Sequence, residues 1–224
     1  MPVYTMSHDK HTGQSPKSAS PKPADPAKPA DPKPAVPQHY RAARVDLAFC
    51  PIEREGKLYV VKLKDRVVVQ TPVMTLTTPL VDGDGDPLPF ATLAAPGPFG
   101  AFVRRVEGLV LDACLANKAD WFRKDLDDDA LRAGFKSFLR PNGTLKVKVP
   151  EDAAVFDADK RPIAPGDLGA GTQVRAILEL SRVSFGKTEF GAMWRLVQAR
   201  AVATPQCLIE DTQDDLDLDD VDFL

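Results

Sequence analysis

Two runs near the C-terminal end of the chain, Gln173 to Phe185 and Phe190 to Val202, alternate apolar and polar residues and are joined only by Gly186-Lys187-Thr188-Glu189. A period of two marks a strand with one buried face, and two such runs across a four-residue loop form one long hairpin. With Phe185 opposite Phe190, the cross-strand partners continue as Ser181 with Trp194, Glu179 with Leu196, Ile177 with Gln198 and Arg175 with Arg200. One face then carries Val174, Ala176, Leu178 and Leu180 against Val197, Ala199 and Ala201, which is a core face. The other face holds Phe185, Phe190, Trp194, Arg175 and Arg200 and turns away from the core. A slip of one residue would mismatch the apolar faces, so the pattern constrains the register.

Three aromatic rings and two guanidiniums on an outward face call for a ligand. Arginines directly opposite each other repel. Single-stranded nucleic acid answers both features, since bases stack on rings and phosphates meet guanidiniums. The alternative is a helical insert that covers this face, making Trp194 part of the core and pairing the arginines with carboxylates.

The rest of the folded body supports a mainly β reading. Arg41 to Cys50, Lys57 to Lys64 and Arg66 to Thr71 are rich in Val, Leu, Tyr and Phe, with turn signals at Glu55-Gly56 and Asp65, and predict an antiparallel meander. Pro98 to Lys118 instead places Phe99, Phe102, Val103, Val106, Val110 and Ala113 at spacings of three and four, one apolar stripe on a helix. A second helix is predicted from Asp128 to Leu139, with acidic residues in its first turn and Pro141-Asn142-Gly143 beyond it, and Trp121-Phe122 joins the two. Thr144 to Pro150 alternates Leu145, Val147 and Val149 with Lys146 and Lys148, so a strand there presents two ammonium groups on its outer face, for phosphate or for solubility. Ala154 to Phe156 reads as a short strand, with turns at Asp157 to Lys160 and at Pro165-Gly166.

Charge divides the chain unevenly. Eight of its 32 carboxylates lie in Glu210 to Leu224, which has no cation and ends in Phe223-Leu224, so the preceding body carries 24 acidic residues against 29 Lys and Arg. Eight like charges in so short a stretch oppose compaction, and a tethered polyanion competes with any polyanion the body binds. Ser15 to Pro37 contains eight prolines and reads as an extended polyproline-II tether or a ligand for proline-reading domains. The expected organisation is therefore an arm over 1–37, one domain over 38–209 with a helical insert at about 98–139, and a disordered acidic tail over 210–224.

Cys50, Cys114 and Cys207 are far apart and suggest neither a disulfide framework nor a zinc ribbon. A reducing, intracellular location is the expectation, and no membrane partner is expected, since no apolar run approaches eighteen residues. His8, His11 and His39 all lie in or beside the arm, which leaves no histidine-based metal site and no histidine base for a nucleophile in the domain. Asp82-Gly83-Asp84-Gly85-Asp86 has the look of a calcium loop, but Pro87 interrupts it and Leu93 stands at the twelfth position. Phe185-Gly186-Lys187-Thr188 ends like a phosphate-binding loop, yet Ser181 replaces the first glycine and Lys187 falls at a hairpin tip. Neither an enzyme nor a cofactor is expected; a metal nuclease using Asp82, Asp84 and Asp86 is the weakest of the readings.

The run from Thr144 to Val202, with TLKVKV, VFDADKRPI and the hairpin strand GAMWRLVQ, resembles the C-terminal half of the OB-fold single-stranded-DNA-binding proteins of podophages. It is also similar to related proteins of large eukaryotic DNA viruses, as are VVVQTPVMTLTTPL from Val67 to Leu80 and the Trp121-Phe122 insert. The resemblance implies a five-stranded antiparallel OB barrel with a helical insert, coating single-stranded DNA in viral replication, recombination or repair. It implies phosphate contacts at Lys146 and Lys148, which match the lysine-bearing strand of the phage proteins, and together with the outward hairpin face it makes Arg175, Phe185, Lys187, Phe190, Trp194 and Arg200 the other expected DNA-binding residues. It further implies recruitment of a polymerase, primase-helicase or nuclease through Asp219, Asp220, Asp222, Phe223 and Leu224, with a homodimer as a candidate assembly and a host cytoplasm or nucleus as the setting. In such tails an aromatic is often the final residue, whereas here Leu224 follows Phe223. A transcriptional or scaffold protein is the alternative, because acidic residues interleaved with Leu216, Leu218, Val221 and Phe223 also describe an interaction segment.

Overall fold

The computed structural model describes residues 37–122 and 125–203, which belong to one compact unit. Residues 1–36 of the proline-rich arm, all of the acidic tail and Cys207 lie outside the described residues. A two-residue strand β1 (Gln38–His39) and β2 (Phe49–Glu55) precede the longest strand, β3 (Leu58–Leu76). The predicted strand from Arg41 begins only at Phe49. Gly56, at φ 60°, makes the β2–β3 turn in a conformation that other residues rarely adopt. Asp65 does not break the chain: β3 runs on, with an irregularity between Lys62 and Val67 where the predicted turn stood.

Five strands close a ring. β3 pairs antiparallel with β4 (Phe90–Ala94), β4 with β5 (Thr144–Lys148), and β5 runs parallel to β8 (Phe190–Ala201). β8 pairs antiparallel with β7 (Gln173–Phe185), and β7 returns to β3. One parallel contact in an otherwise antiparallel five-stranded ring is the OB-fold order, so the expected barrel is present. β6 (Ala154–Phe156) adds to the outer edge of β8 in parallel. β4, which sequence reasoning missed, is only five residues long and holds Ala91, Thr92 and Leu93 all buried, so it shows no alternation.

The helical insert lies between β4 and β5. α1 (Gly97–Ala116) buries Phe99, Phe102, Val103, Val106 and Val110 as its spacing predicts. Cys114 is also buried there, which pushes its thiol up to about 12 and leaves it protonated. α2 (Lys118–Trp121) buries Trp121. α3 (Asp128–Gly134) starts where Asp127 accepts a 2.7 Å bond from the Ala130 amide, but it ends five residues short of the predicted Leu139. From Phe135 the chain pairs with the hairpin instead. The Lys136 amide donates to the Phe190 carbonyl at 2.8 Å, and a β-carbon on Gly191 would stand 2.5 Å from the Lys136 carbonyl oxygen. Only glycine admits this strap.

Below the strap and α2 lies an aromatic cluster. Phe185 and Phe190 stack at 5.8 Å, Trp121 and Phe122 meet Phe185 edge-on at 6.1 and 5.3 Å, and Phe135 meets Phe190 at 5.7 Å. Phe185 and Phe190 are therefore 7% and 6% exposed, and Trp194 is fully buried. The expectation that all three lie on an outward, base-stacking face is corrected.

Two bulges in the hairpin explain Trp194. Phe185 pairs with Phe190, Ile177 with Gln198 and Arg175 with Arg200 as expected, but between irregularities at Ile177/Leu178 and Leu180/Val183 the pairing runs one residue out of step. Trp194 thus faces Leu180 rather than Ser181, and Glu179 faces Arg195 rather than Leu196. The indole joins the core, with the Phe102 ring of α1 at 6.4 Å. Val197, expected in the core, is the extra residue of one bulge and is half-buried.

One acid is built into the insert. Glu107 of α1 is 4% exposed; Ser137 Oγ donates to its Oε2 at 2.6 Å and the Phe138 amide to its Oε1 at 3.0 Å, so it fastens the strap to the helix. Burial pushes its pKa up against the pull of these bonds. Among the described residues no helix is long and apolar enough to cross a membrane.

Two outcomes follow from this packing. Trp194→Ala is expected to lower unfolding free energy by about 3 to 5 kcal/mol in a denaturant titration, the range for truncating a buried aromatic; a loss well below that range would return the indole to the surface. For Glu107, a folded pKa above the unfolded one means that its contribution is most favourable at acidic pH and declines as pH rises through the raised folded value. Gln can keep both contacts without the charge, its oxygen accepting from the Phe138 amide and its NH2 donating to Ser137 Oγ, so Glu107→Gln should gain stability relative to the wild type as pH rises from acid to neutral. A difference between the two melting curves that stays constant with pH would contradict the raised pKa.

Candidate nucleic-acid interface

The outer face of the β3–β7–β8–β6 sheet is built in rows, because residues paired across strands project to the same side. One row runs Val73, Arg175, Arg200, Phe156, and the next runs Gln70, Ile177, Gln198, Ala154. None of these eight residues is buried, and Arg175 is exposed. Gln70, Ile177, Gln198, Arg175, Arg200 and Phe156 line a concavity of about 400 Å³, and Lys160 lies on its rim.

Local chemistry sets each wall. At β3 the ladder to β7 is irregular between Gln70 and Val73, where Pro72 has no amide to donate. The fully buried Thr71 substitutes for the ladder: its hydroxyl accepts from the Ala176 amide at 2.9 Å and donates to the Pro72 carbonyl at 2.8 Å, holding β7 in place beside Arg175. Opposite, the turn after β6 is closed by Asp157, which accepts from the Arg161 amide and from Arg161 Nε, both at 2.8 Å. These bonds hold the Asp157 carboxyl below the usual range. They also fix Lys160 at φ 68°, a left-handed conformation unusual for a residue with a side chain.

Arg175 and Arg200 stand directly across the β7–β8 ladder from each other. Among the described residues no carboxylate forms an ion pair with either. Of the alternative, the part that puts Trp194 in the core beneath the insert is what the described residues show, and the pairing of the arginines with carboxylates is not. The insert covers the aromatic half of the hairpin and leaves the arginine half open.

Further along the same outer surface the charges are compensated. Glu179, 6% exposed, lies 3.6 Å from Arg66 and opposite Arg195, while Arg195 reaches both oxygens of Asp152 at 2.7 and 2.8 Å and holds that carboxyl below its ordinary value. Beyond Arg195 come the two lysines of β5. Lys148 is the parallel partner of Arg195, and Lys146 places its ammonium 4.0 Å from the centre of the Phe90 ring. Both lysines are half-exposed on the outer face, alternating with the buried Leu145 and Val147 as the pattern predicts.

The predicted site residues therefore separate into four groups. Arg175 and Arg200 line the concavity, Lys146 and Lys148 form a second basic patch beside Arg195, and Lys187 is exposed at the hairpin tip. Phe185, Phe190 and Trp194 belong to the interior. Sequence reasoning missed Phe156, Lys160, Gln70 and Gln198. The signal for Phe156 was weak: in a three-residue strand, only its position beside the buried Val155 marked it as outward. Asp82 does not gather its neighbours around a cation: its Oδ1 accepts from the Asp84 and Asp86 amides at 3.0 and 2.9 Å, closing the loop on itself. Among the described residues no group of three or more His, Cys, Asp or Glu is placed to hold a metal ion.

A closed five-stranded OB barrel with a helical insert and a partly uncompensated basic outer face is thus the class of this protein. The chain belongs to a family of unknown function (DUF5871), whose model matches residues 100–216. No curated protein matches it in sequence. Among solved structures it is similar to a C-terminal truncation of the single-stranded DNA-binding protein from bacteriophage Enc34, at 10% identity and a TM-score of 0.42, over 70% of this chain and 96% of that one. The same phage protein in complex with single-stranded DNA is similar at 10% identity and a TM-score of 0.40, over 72% and 98% of the two chains. The single-stranded DNA-binding protein encoded by bacteriophage T7 is similar at 12% identity and a TM-score of 0.41, over 65% and 97%.

Proposed function

We propose that this protein binds single-stranded DNA, without catalysis, on the outer face of its barrel. The observation that carries the proposal is the Arg175–Arg200 pair. Two guanidiniums face each other across a ladder with no ion-pairing carboxylate among the described residues, beside the half-exposed ring of Phe156. Like charges so placed are destabilising until an anion sits between them, and a phosphodiester is such an anion. A strand is favoured over a duplex because an open ring and an apolar floor offer stacking to base faces that pairing would hide. Lys146 and Lys148 extend the basic track, and Lys187 adds a charge at the hairpin tip.

Within this reading, the protein coats single strands during viral replication, recombination or repair. The acidic tail, outside the described residues, competes with DNA for the basic face, and DNA binding frees it for replication enzymes. The charge contrast between body and tail supports this reading.

The test is a titration of a labelled oligo(dT) followed by fluorescence anisotropy over a range of salt. Arg175→Ala with Arg200→Ala is expected to weaken binding and to flatten the plot of log affinity against log salt by about 0.7 per lost phosphate contact. An unchanged slope in a folded double variant would remove the arginines from the interface, and no binding by the wild type would favour the scaffold reading. Truncation after Ile209 is expected to tighten binding at low salt; equal or weaker affinity would refute competition by the tail.

A further inference from the structure

The row beside the arginines has no charge and yet is not a neutral spacer. Gln70 on β3 and Gln198 on β8 flank Ile177 on β7, each its direct cross-strand partner. With strands about 4.8 Å apart, the two glutamine backbones are about 10 Å apart with an apolar floor between them. All three residues line the concavity, and neither side-chain amide has a hydrogen-bond partner among the described residues. Arg175 and Arg200 lie in the next row, roughly 7 Å along the strands, with the Phe156 ring opposite Arg200.

We infer that the concavity reads the identity of one base in the bound strand, and that the base is adenine; the inference rests on the proposed single-strand binding at this face. A base lying over Ile177, with its phosphate toward the guanidiniums, presents its edges to the two amides. Each amide offers one donor beside one acceptor and is satisfied in full by the complementary pair on a base edge. Adenine carries such a pair twice, at N6 and N7 and again at N6 and N1, because its amino group has two hydrogens. Guanine offers two acceptors at O6 and N7, so one amide is half satisfied. Pyrimidines have hydrogen-bonding groups on one edge and only carbon on the other. The protein thus binds strands broadly through phosphate while preferring an adenine at one position.

The test uses the full chain, an oligo(dT) tract and the same tract with one adenine, guanine or cytosine at successive positions, titrated by anisotropy. Adenine is expected to tighten binding roughly tenfold at one or more positions, the scale of a bidentate base contact. Guanine and cytosine should not match it. The gain should disappear with 7-deazaadenine, which lacks the N7 acceptor, and in Gln70→Met and Gln198→Met, read in each variant as the ratio of its affinity for the adenine-bearing tract to its own affinity for oligo(dT). Equal affinity across the whole set, or an adenine gain that survives both glutamine substitutions, would overturn base reading. If oligo(dT) binds in an Arg175- and Arg200-dependent way while the set is flat, base reading alone fails. If no oligonucleotide binds, it falls together with the function on which it rests.

Discussion

Between its two bulges the β7–β8 hairpin pairs one residue out of step with its ends, and that short window decides the character of the whole face. In the window Leu180 and Trp194 point into the barrel while Glu179 and Arg195 point out. Unbroken alternation would do the reverse on β8, placing Arg195 on the core side with Ala199 and Ala201 and turning the indole to water. Burying that guanidinium without a partner would cost far more than a bulge, and the core gains a large ring instead. The indole then reaches Phe102, which makes the hairpin and α1 parts of one core. Its buried ring nitrogen has no hydrogen-bond partner among the described residues, a local cost that the surrounding apolar contacts outweigh.

Once Trp194 is inside, the insert takes its position from the same hairpin. The missing side chain of Gly191 admits the strap at Lys136, the strap ends α3 early, and Glu107 fastens the strap back to α1. Trp121, Phe122 and Phe135 then close over Phe185 and Phe190. The hairpin thus has two ends with opposite roles: the loop end is roofed by the insert, and the end bearing Arg175 and Arg200 is open. Aromatic rings that alternation places with the arginines are held at the covered end.

The barrel was legible because its strongest determinants are local. The apolar stripe of α1 and the alternation of β5 each name their element and their buried side and agree with the structure, while the two hairpin runs name their strands and the buried side of β7 at Val174, Ala176, Leu178 and Leu180, but not that of β8 between the bulges. The site was legible in its charges and not in its rings. Charge placement at Arg175, Arg200, Lys146 and Lys148 depends on pairing close to a strand end or on unbroken alternation, whereas Trp194 lies between the bulges. A warning was present in the sequence: the register that put Trp194 outward also put Arg195 inward, and an unpaired core arginine is a stronger objection than an exposed tryptophan. Phe156 and Lys160 could not be placed by the same means, since they reach the concavity through a parallel pairing of β6 with β8 that has no turn signature.

The distribution of compensated and uncompensated charge carries a last consequence for the proposed ligand. Arg195 is held by Asp152 and Glu179 by Arg66, so the middle of the outer face is neutralised, while Arg175 and Arg200 at one end have no such partners among the described residues. Lys148 stands beside Arg195, five residues along β8 from Arg200, which is roughly 15 Å at the rise of a strand. A ligand that engages both basic patches must therefore be extended as well as anionic, and must cross a neutral stretch without loss. A nucleic-acid strand meets both conditions, with phosphates for the ends and base faces or edges for the uncharged row of Gln70, Ile177 and Gln198. A compact polyphosphate is anionic but not extended, so it can occupy only one patch at a time.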